Sequence, residues 1–219
     1  LRLSVIVPVL DEEDGLGALI DRLRPVLERT GLSWEVLFVD DGSRDATLAA
    51  IKELYARDKR FKAISLSRNF GKEVATAAGL AYVQGDAAVI IDADLQHPPE
   101  LIIDFVKLWR EGYDVVYGQR LDRNADRLLH QWAARSFYLL FRKMSGTSLP
   151  EGAGDFRLLD RKAIDAMNSM RERVRFNKGL FAWMGFHCTG VPYQVAPRRT
   201  GASRFRSRQL MHFALDGLA

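Results

Sequence analysis

Short apolar runs alternate with segments of helical period along this chain, and most of the runs end in an acidic or Gly/Ser-containing turn. That rhythm constrains the fold more than any other feature. Residues 3–8, 35–39, 61–66, 87–91 and 113–117 each read as a strand. After the acids at positions 11–14, Leu16, Leu19, Ile20, Leu23 and Leu27 recur at helical spacing and are expected to pack inward. Leu48, Ile51, Leu54 and Tyr55 form a second such face, and a small-residue helix runs from the Ser67-Arg-Asn-Phe-Gly-Lys72 loop through Ala81. Strands alternating with helices predict a parallel sheet with right-handed crossovers. Ligands of such sheets bind at the carboxyl ends of the strands, where the Asp-rich turns fall.

The most informative of those turns is Asp92-Ala-Asp94-Leu-Gln96-His97-Pro98-Pro99-Glu100. It follows a buried strand, and either proline can open the helix at 101–110. Alternation along an extended chain places Asp92, Asp94 and Gln96 on one side. Three hard oxygen donors there suit Mg²⁺ or Mn²⁺, with a substrate phosphate completing the shell. Taken alone, a D-x-D is more often a turn that caps a helix. At the end of the second strand, Asp40-Asp41-Gly-Ser43 poses the same choice, and one of its aspartates is expected to cap the next helix while also serving a ligand.

With 219 residues, 47% of them hydrophobic, the chain can bury a substantial core. Cys188 is the sole cysteine, so no internal disulfide and no cysteine metal cluster is possible. No apolar run approaches the ~20 residues of a membrane span. The net charge of +4 is concentrated in the second half, notably in Arg198, Arg199, Arg204, Arg206 and Arg208. Such clustering points to an anionic partner: phosphates, a membrane surface or nucleic acid. Residues 128–144 mix aromatics with Arg135, Arg142 and Lys143, as a helix would that covers the sheet or lies in a membrane interface. Residues 154–160 read as a turn and a strand, 161–170 and 176–184 as helices, and 189–195 as a late strand.

Taken in order, Val5-Ile-Val-Pro8 with Glu12, Val39-Asp-Asp-Gly-Ser43, the loop at 67–72, the turn at 92–100 and Gly154-Asp-Phe-Arg-Leu-Leu-Asp-Arg161 resemble the family 2 glycosyltransferases of GT-A fold. Within them, the chain resembles the polyprenyl-phosphate hexosyltransferases, which include dolichol-phosphate mannose synthase and the bacterial undecaprenyl-phosphate glucosyltransferases. The stretch at 154–161 with Phe181-Ala-Trp-Met-Gly-Phe186 points to the bacterial glucosyl branch. The resemblance implies an α/β, Rossmann-like, mostly parallel sheet flanked by helices, with amphipathic helices toward the C-terminus. It implies one catalytic domain over residues 1–219, with a nucleotide-binding half at 1–120 and an acceptor- and membrane-proximal half at 121–219.

Carried over residue by residue, the resemblance assigns the nucleotide-sugar to Pro8, Leu10, Glu12, Val39, Asp41, Asp92, Ala93, Asp94, Gln96, Arg120, Arg198 and Arg204. Asp92, Asp94 and Gln96 hold the Mg²⁺ or Mn²⁺ cofactor, and Asp94 and Asp155 are the catalytic residues. Asp41 reads the base, although Leu10 stands where the family often has a tyrosine. Arg198-Arg-Thr-Gly-Ala-Ser-Arg204-Phe205 corresponds to an R-x-x-G-x-S-K-Y lid, with Arg204 in place of lysine and Phe205 in place of tyrosine, which keeps the charge and changes its geometry. His97 falls beside the metal, His130, His187 and His212 are structural or exposed, and Lys72 approaches phosphate or only solvent. The implied reaction is inverting transfer of a hexose, glucose from UDP-glucose, to a polyprenyl phosphate. It takes place on the cytoplasmic face of the inner membrane, with transmembrane helices lying outside this stretch and a homo-oligomer as an option. A GDP-mannose donor is the alternative enzyme. A non-catalytic module that binds anionic membrane or nucleic acid is the alternative of another class, although nucleic acid is not among the implied partners. No Q-x-x-R-W element supports a processive polysaccharide synthase.

Overall fold

The computed structural model describes residues 1–121, 153–170, 180 and 184–194. Seven strands occur among them: β1 (Arg2–Val9), β2 (Ser33–Asp40), β3 (Phe61–Ser65), β4 (Ala87–Ile90), β5 (Val115–Arg120), β6 (Ala153–Asp160) and β7 (Cys188–Tyr193). The helices are α1 (Glu13–Arg29), α2 (Thr47–Arg57), α3 (Lys72–Tyr82), α4 (Leu101–Arg110) and α5 (Arg161–Ser169). The strands form a single sheet in the order β3-β2-β1-β4-β6-β5-β7. The chain moves outward from β1 to β3 and then resumes on the other side of β1 at β4. That reversal is a topological switch point, where a crevice opens at the strand ends.

The β1–β2, β2–β3, β1–β4 and β5–β7 pairs are parallel. β6 departs from the parallel pattern that strand–helix alternation predicts, because it runs antiparallel to both β4 and β5. The reversal has a functional consequence. It brings the start of β6, not its end, to the edge where β4 finishes. Ile90 faces Arg157 in the ladder, and two further residues along each strand set Asp92 opposite Asp155.

Side chains of the sheet alternate between two cores, as strand geometry requires. Val5, Val7, Phe38 and Val89 face α1, α2 and α4, where Leu19, Leu23, Leu27, Ile51, Ile102 and Phe105 are fully buried. Ile6, Leu37, Val39, Ala88 and Ile90 face α3 and α5, meeting Ala75, Leu80, Ile164 and Met167. The small residues of α3 let it sit close to the sheet: a Cβ on Gly79 would stand 2.5 Å from Ile6 Cγ2. Tyr55 breaks the inward face expected for α2. It is 45% exposed, and Lys59 covers its ring at 3.8 Å from the centroid. Ile20 is only partly buried beside the α1 core. No helix among the described residues is long and apolar enough to cross a membrane.

Candidate active site

Three loops at the carboxyl ends of β1, β2 and β3 enclose a cleft of about 800 Å³, lined among others by Pro8, Leu10, Glu12, Asp41, Arg68 and Lys72. Backbone amides and short polar side chains lock the loops to one another. Asp11 N donates to Ser43 Oγ at 2.9 Å, Arg44 N donates to Asp11 Oδ1 at 2.8 Å, and Glu12 N donates to Thr47 Oγ1 at 2.9 Å. Gly42 permits the contact between the second and third loops. Its φ is +79°, and a Cβ there would lie 2.6 Å from the carbonyl carbon of Arg68.

Asp41 is 4% exposed, and its two oxygens accept from Phe70 N at 2.7 Å and Gly71 N at 2.9 Å. Its carboxylate therefore shapes the 67–72 loop as well as bordering the cleft. Asp40 accepts from Ser43 N at 3.0 Å. Neither aspartate caps α2, contrary to the expectation from the turn. The N-cap position is Ala46, without a side-chain cap, and just before it Asp45 Oδ1 accepts from Thr47 N at 3.0 Å. Val39 is fully buried against α3 and is not one of the residues that line the cleft.

The 92–100 turn lies beyond the end of β4. It is not extended, since Leu95 adopts φ +57°, and exposure alternates along it. Asp92, Asp94 and Gln96 are half-buried, whereas Ala93, Leu95 and His97 are buried. Gln96 N donates to Asp94 Oδ1 at 3.1 Å, which closes the turn. The two prolines then start the first turn of α4, where Leu101 N and Ile102 N donate to the Pro98 and Pro99 carbonyls at 3.2 and 3.0 Å.

Lys72, at the start of α3, reaches across from the cleft. Its Nζ lies 2.6 Å from Asp92 Oδ1 and 2.8 Å from Asp155 Oδ2. Burial works against its charge, but the two carboxylates outweigh burial, and its pKa is raised. The other side of Asp92 faces His97 Nδ1 at 3.6 Å, beyond hydrogen-bond reach. Burial lowers the His97 pKa despite the nearby carboxylates, which favours the neutral imidazole. His187 is instead exposed and stacks on Tyr113 at 4.3 Å between centroids.

Tyr193, at the end of β7, completes the wall. It is 5% exposed, its ring packs 5.9 Å from that of His97, and its hydroxyl has no hydrogen-bond partner among the described residues. Burial pushes its pKa up to about 12, the Arg120 charge pulls the other way, and Asp92, Asp155 and Asp94 add to the rise. Arg120 pairs with Tyr193 in the β5–β7 ladder, which sets its charge at the same edge. The motif reading passed over Tyr193. The available signal was its place as the last residue of a strand that leads into the arginine-rich segment. Arg198, Arg204, His130, His212 and the helix expected at 128–144 lie outside the described residues, as does the helix expected at 176–184 apart from residues 180 and 184.

Among the described residues, no group of three His, Cys, Asp and Glu side chains could hold a metal ion by itself. The donor set still fits a hard divalent cation that takes two carboxylates, an amide oxygen and phosphate oxygens from a ligand. The Lys72 ammonium held between Asp92 and Asp155 shows that this edge already binds positive charge.

Residues 4–167 match the family described as Glycosyl transferase family 2. The chain belongs to that family and is a glycosyltransferase. It is 44% identical over 218 residues to an uncharacterized glycosyltransferase of Synechocystis, covering 100% of this chain and 69% of that protein. It is 37% identical over 218 residues to the bactoprenol glucosyl transferase of Shigella phage SfV, covering 100% of this chain and 71% of that protein. The fold is GT-A. Glucosyl-3-phosphoglycerate synthase from Mycobacterium tuberculosis, solved in complex with Mn²⁺, UDP-glucose and phosphoglyceric acid, shares it with a TM-score of 0.62 at 22% identity, over 99% of this chain and 77% of that one.

Proposed function

We propose that this chain is an inverting hexosyltransferase that moves glucose from UDP-glucose to the phosphate of a polyprenyl phosphate at the cytoplasmic surface of a membrane. The observation that carries the reading is a cleft of nucleotide size whose lining residue Lys72 reaches two carboxylates, Asp92 and Asp155. The phage relative named for bactoprenol supports the lipid acceptor. The nucleoside occupies the cleft between Pro8–Glu12 and the 67–72 loop, with Asp41 at its border. Asp92, Asp94 and Gln96 hold Mg²⁺ or Mn²⁺, a choice that the Mn²⁺ in the mycobacterial neighbour supports. When bound, the cation supplies Lewis-acid neutralisation of the departing diphosphate.

Arg120 offers its charge to a phosphate at the same edge. Arg198 and Arg204 are assigned to the diphosphate by resemblance alone. A polyprenyl phosphate has a second pKa near ~6, so its oxygen is largely ionised at neutral pH and needs little help from a base. Asp155 shares the Lys72 charge, and that pairing suits it to orienting the acceptor. The phosphate oxygen attacks the anomeric carbon opposite the leaving UDP, the glycosidic carbon–oxygen bond to the diphosphate breaks, and configuration inverts.

The test incubates the protein with undecaprenyl phosphate in detergent, Mg²⁺ or Mn²⁺, and radiolabelled UDP-glucose or GDP-mannose. Label entering the organic phase from UDP-glucose is the expected result. Label only from GDP-mannose replaces the donor, and no lipid-linked label from either sugar contradicts the reading.

A further inference from the structure

Among the described residues, Lys72 is the charged side chain that both lines the cleft and touches the two carboxylates. Its position follows from three separate elements. The 67–72 loop, pinned by Asp41, ends at Gly71 and hands over to α3. β4 delivers Asp92, and the reversed β6 delivers Asp155 to the same edge. Two carboxylates so close disfavour each other's charged form, and an ammonium between them relieves the repulsion. Arg157 also acts on Asp155 electrostatically, and Lys72 is the cation that bridges Asp155 to Asp92.

The Lys72 side chain remains one-third exposed. A lysine is a compact charge on a flexible stem, with three donors free to rotate to new acceptors. It also sits in the first turn of α3, where the helix adds partial positive charge.

We propose that Lys72 is an exchangeable counter-cation and a positioning residue for the donor diphosphate. It holds Asp92 and Asp155 in register until the divalent ion takes Asp92, and its ammonium then turns to the diphosphate in the adjoining cleft. The proposal rests on the reading of this edge as a metal and nucleotide-sugar site. No bond is made or broken in the exchange. Only ion pairs change partners.

The experiment measures Mn²⁺ binding by electron paramagnetic resonance without nucleotide, and UDP and uridine binding by calorimetry with Mn²⁺ present. Lys72→Met is expected to bind Mn²⁺ about tenfold tighter than wild type, because a competing charge is gone. It should bind UDP about tenfold weaker and uridine equally well. Lys72→Arg keeps the charge and should restore the weaker Mn²⁺ affinity. In wild-type protein alone, the Lys72 ¹⁵Nζ resonance should shift when Mg²⁺ and UDP are added together. Unchanged Mn²⁺ and UDP affinities in Lys72→Met, or an unmoved resonance, overturn the proposal while leaving the site reading intact. Wild-type protein that binds neither Mn²⁺ nor UDP overturns both.

Discussion

Glu35 and Asp92 are both acids paired to lysine, at opposite ends of one sheet, and they are built for different purposes. Glu35 lies at the amino edge, with its side chain 3% exposed, enclosed by Arg2 Nη2 at 2.5 Å, Lys62 Nζ at 2.7 Å, Ser4 Oγ at 2.7 Å and the Gln84 amide at 3.2 Å. Every oxygen there is satisfied by the protein. Asp92 lies at the carboxyl edge, with its side chain 25% exposed. It shares one lysine with Asp155 and faces a histidine too distant to bond. The closed cluster is a structural fastening. The open one is partly exposed to solvent, as the proposed cation site requires.

Removing each acid separates the two roles. Glu35→Ala strands two cations and a buried hydroxyl, and should lower unfolding free energy by about 2–3 kcal/mol. Asp92→Ala should change it by less than about 1 kcal/mol, because the site is partly solvated. Chemical denaturation of both variants measures the difference, and equal losses would break the comparison.

The acid dependence sharpens it. Burial alone would raise the Glu35 pKa, but the bonds from Lys62, Ser4 and Gln84 and the charge of Arg2 win, so it is lowered from 4.5. Its stabilisation is therefore complete above that value and fades as pH falls through the folded pKa. The stability gap between wild type and Glu35→Gln should shrink at low pH.

Asp41 falls between the two extremes, being buried but bonded to backbone at the cleft. Asp41→Ala leaves the Phe70 and Gly71 amides without their acceptor and should cost about 2 kcal/mol. Uridine binding should weaken in parallel, since the 67–72 loop forms a cleft wall; calorimetry at matched folded fractions reads this directly. The smallest effect belongs to Tyr193, whose hydroxyl has no partner to lose among the described residues. Tyr193→Phe should leave stability within about 1 kcal/mol of wild type in thermal melts, and a larger loss would show that the hydroxyl is already bonded.

Much of the fold of residues 1–110 was legible because its signals are local. Apolar runs marked β1 to β4, Pro98 and Pro99 announced α4, and the D-x-D placed its oxygens on the open side of the turn. Three points were not legible, each for a physical reason. The sequence of β6 has the same apolar content in either direction, so its reversal depends on neighbours far along the chain. Asp40, Asp41 and Asp45 can all cap a helix, and only the fold of the 67–72 loop diverts Asp41 to Phe70 and Gly71. Lys72 meets Asp155 across 83 positions, a separation that no spacing rule spans.

On the proposed function, the edge where β4 and β6 meet is a divalent-cation and nucleotide-sugar site. Calorimetric titration of UDP into wild-type protein and Asp94→Ala, with and without Mn²⁺, tests it most directly. Mn²⁺ should tighten UDP binding by about tenfold or more in wild type and have no effect in a folded Asp94→Ala variant. Equal tightening by Mn²⁺ in both proteins would contradict the account.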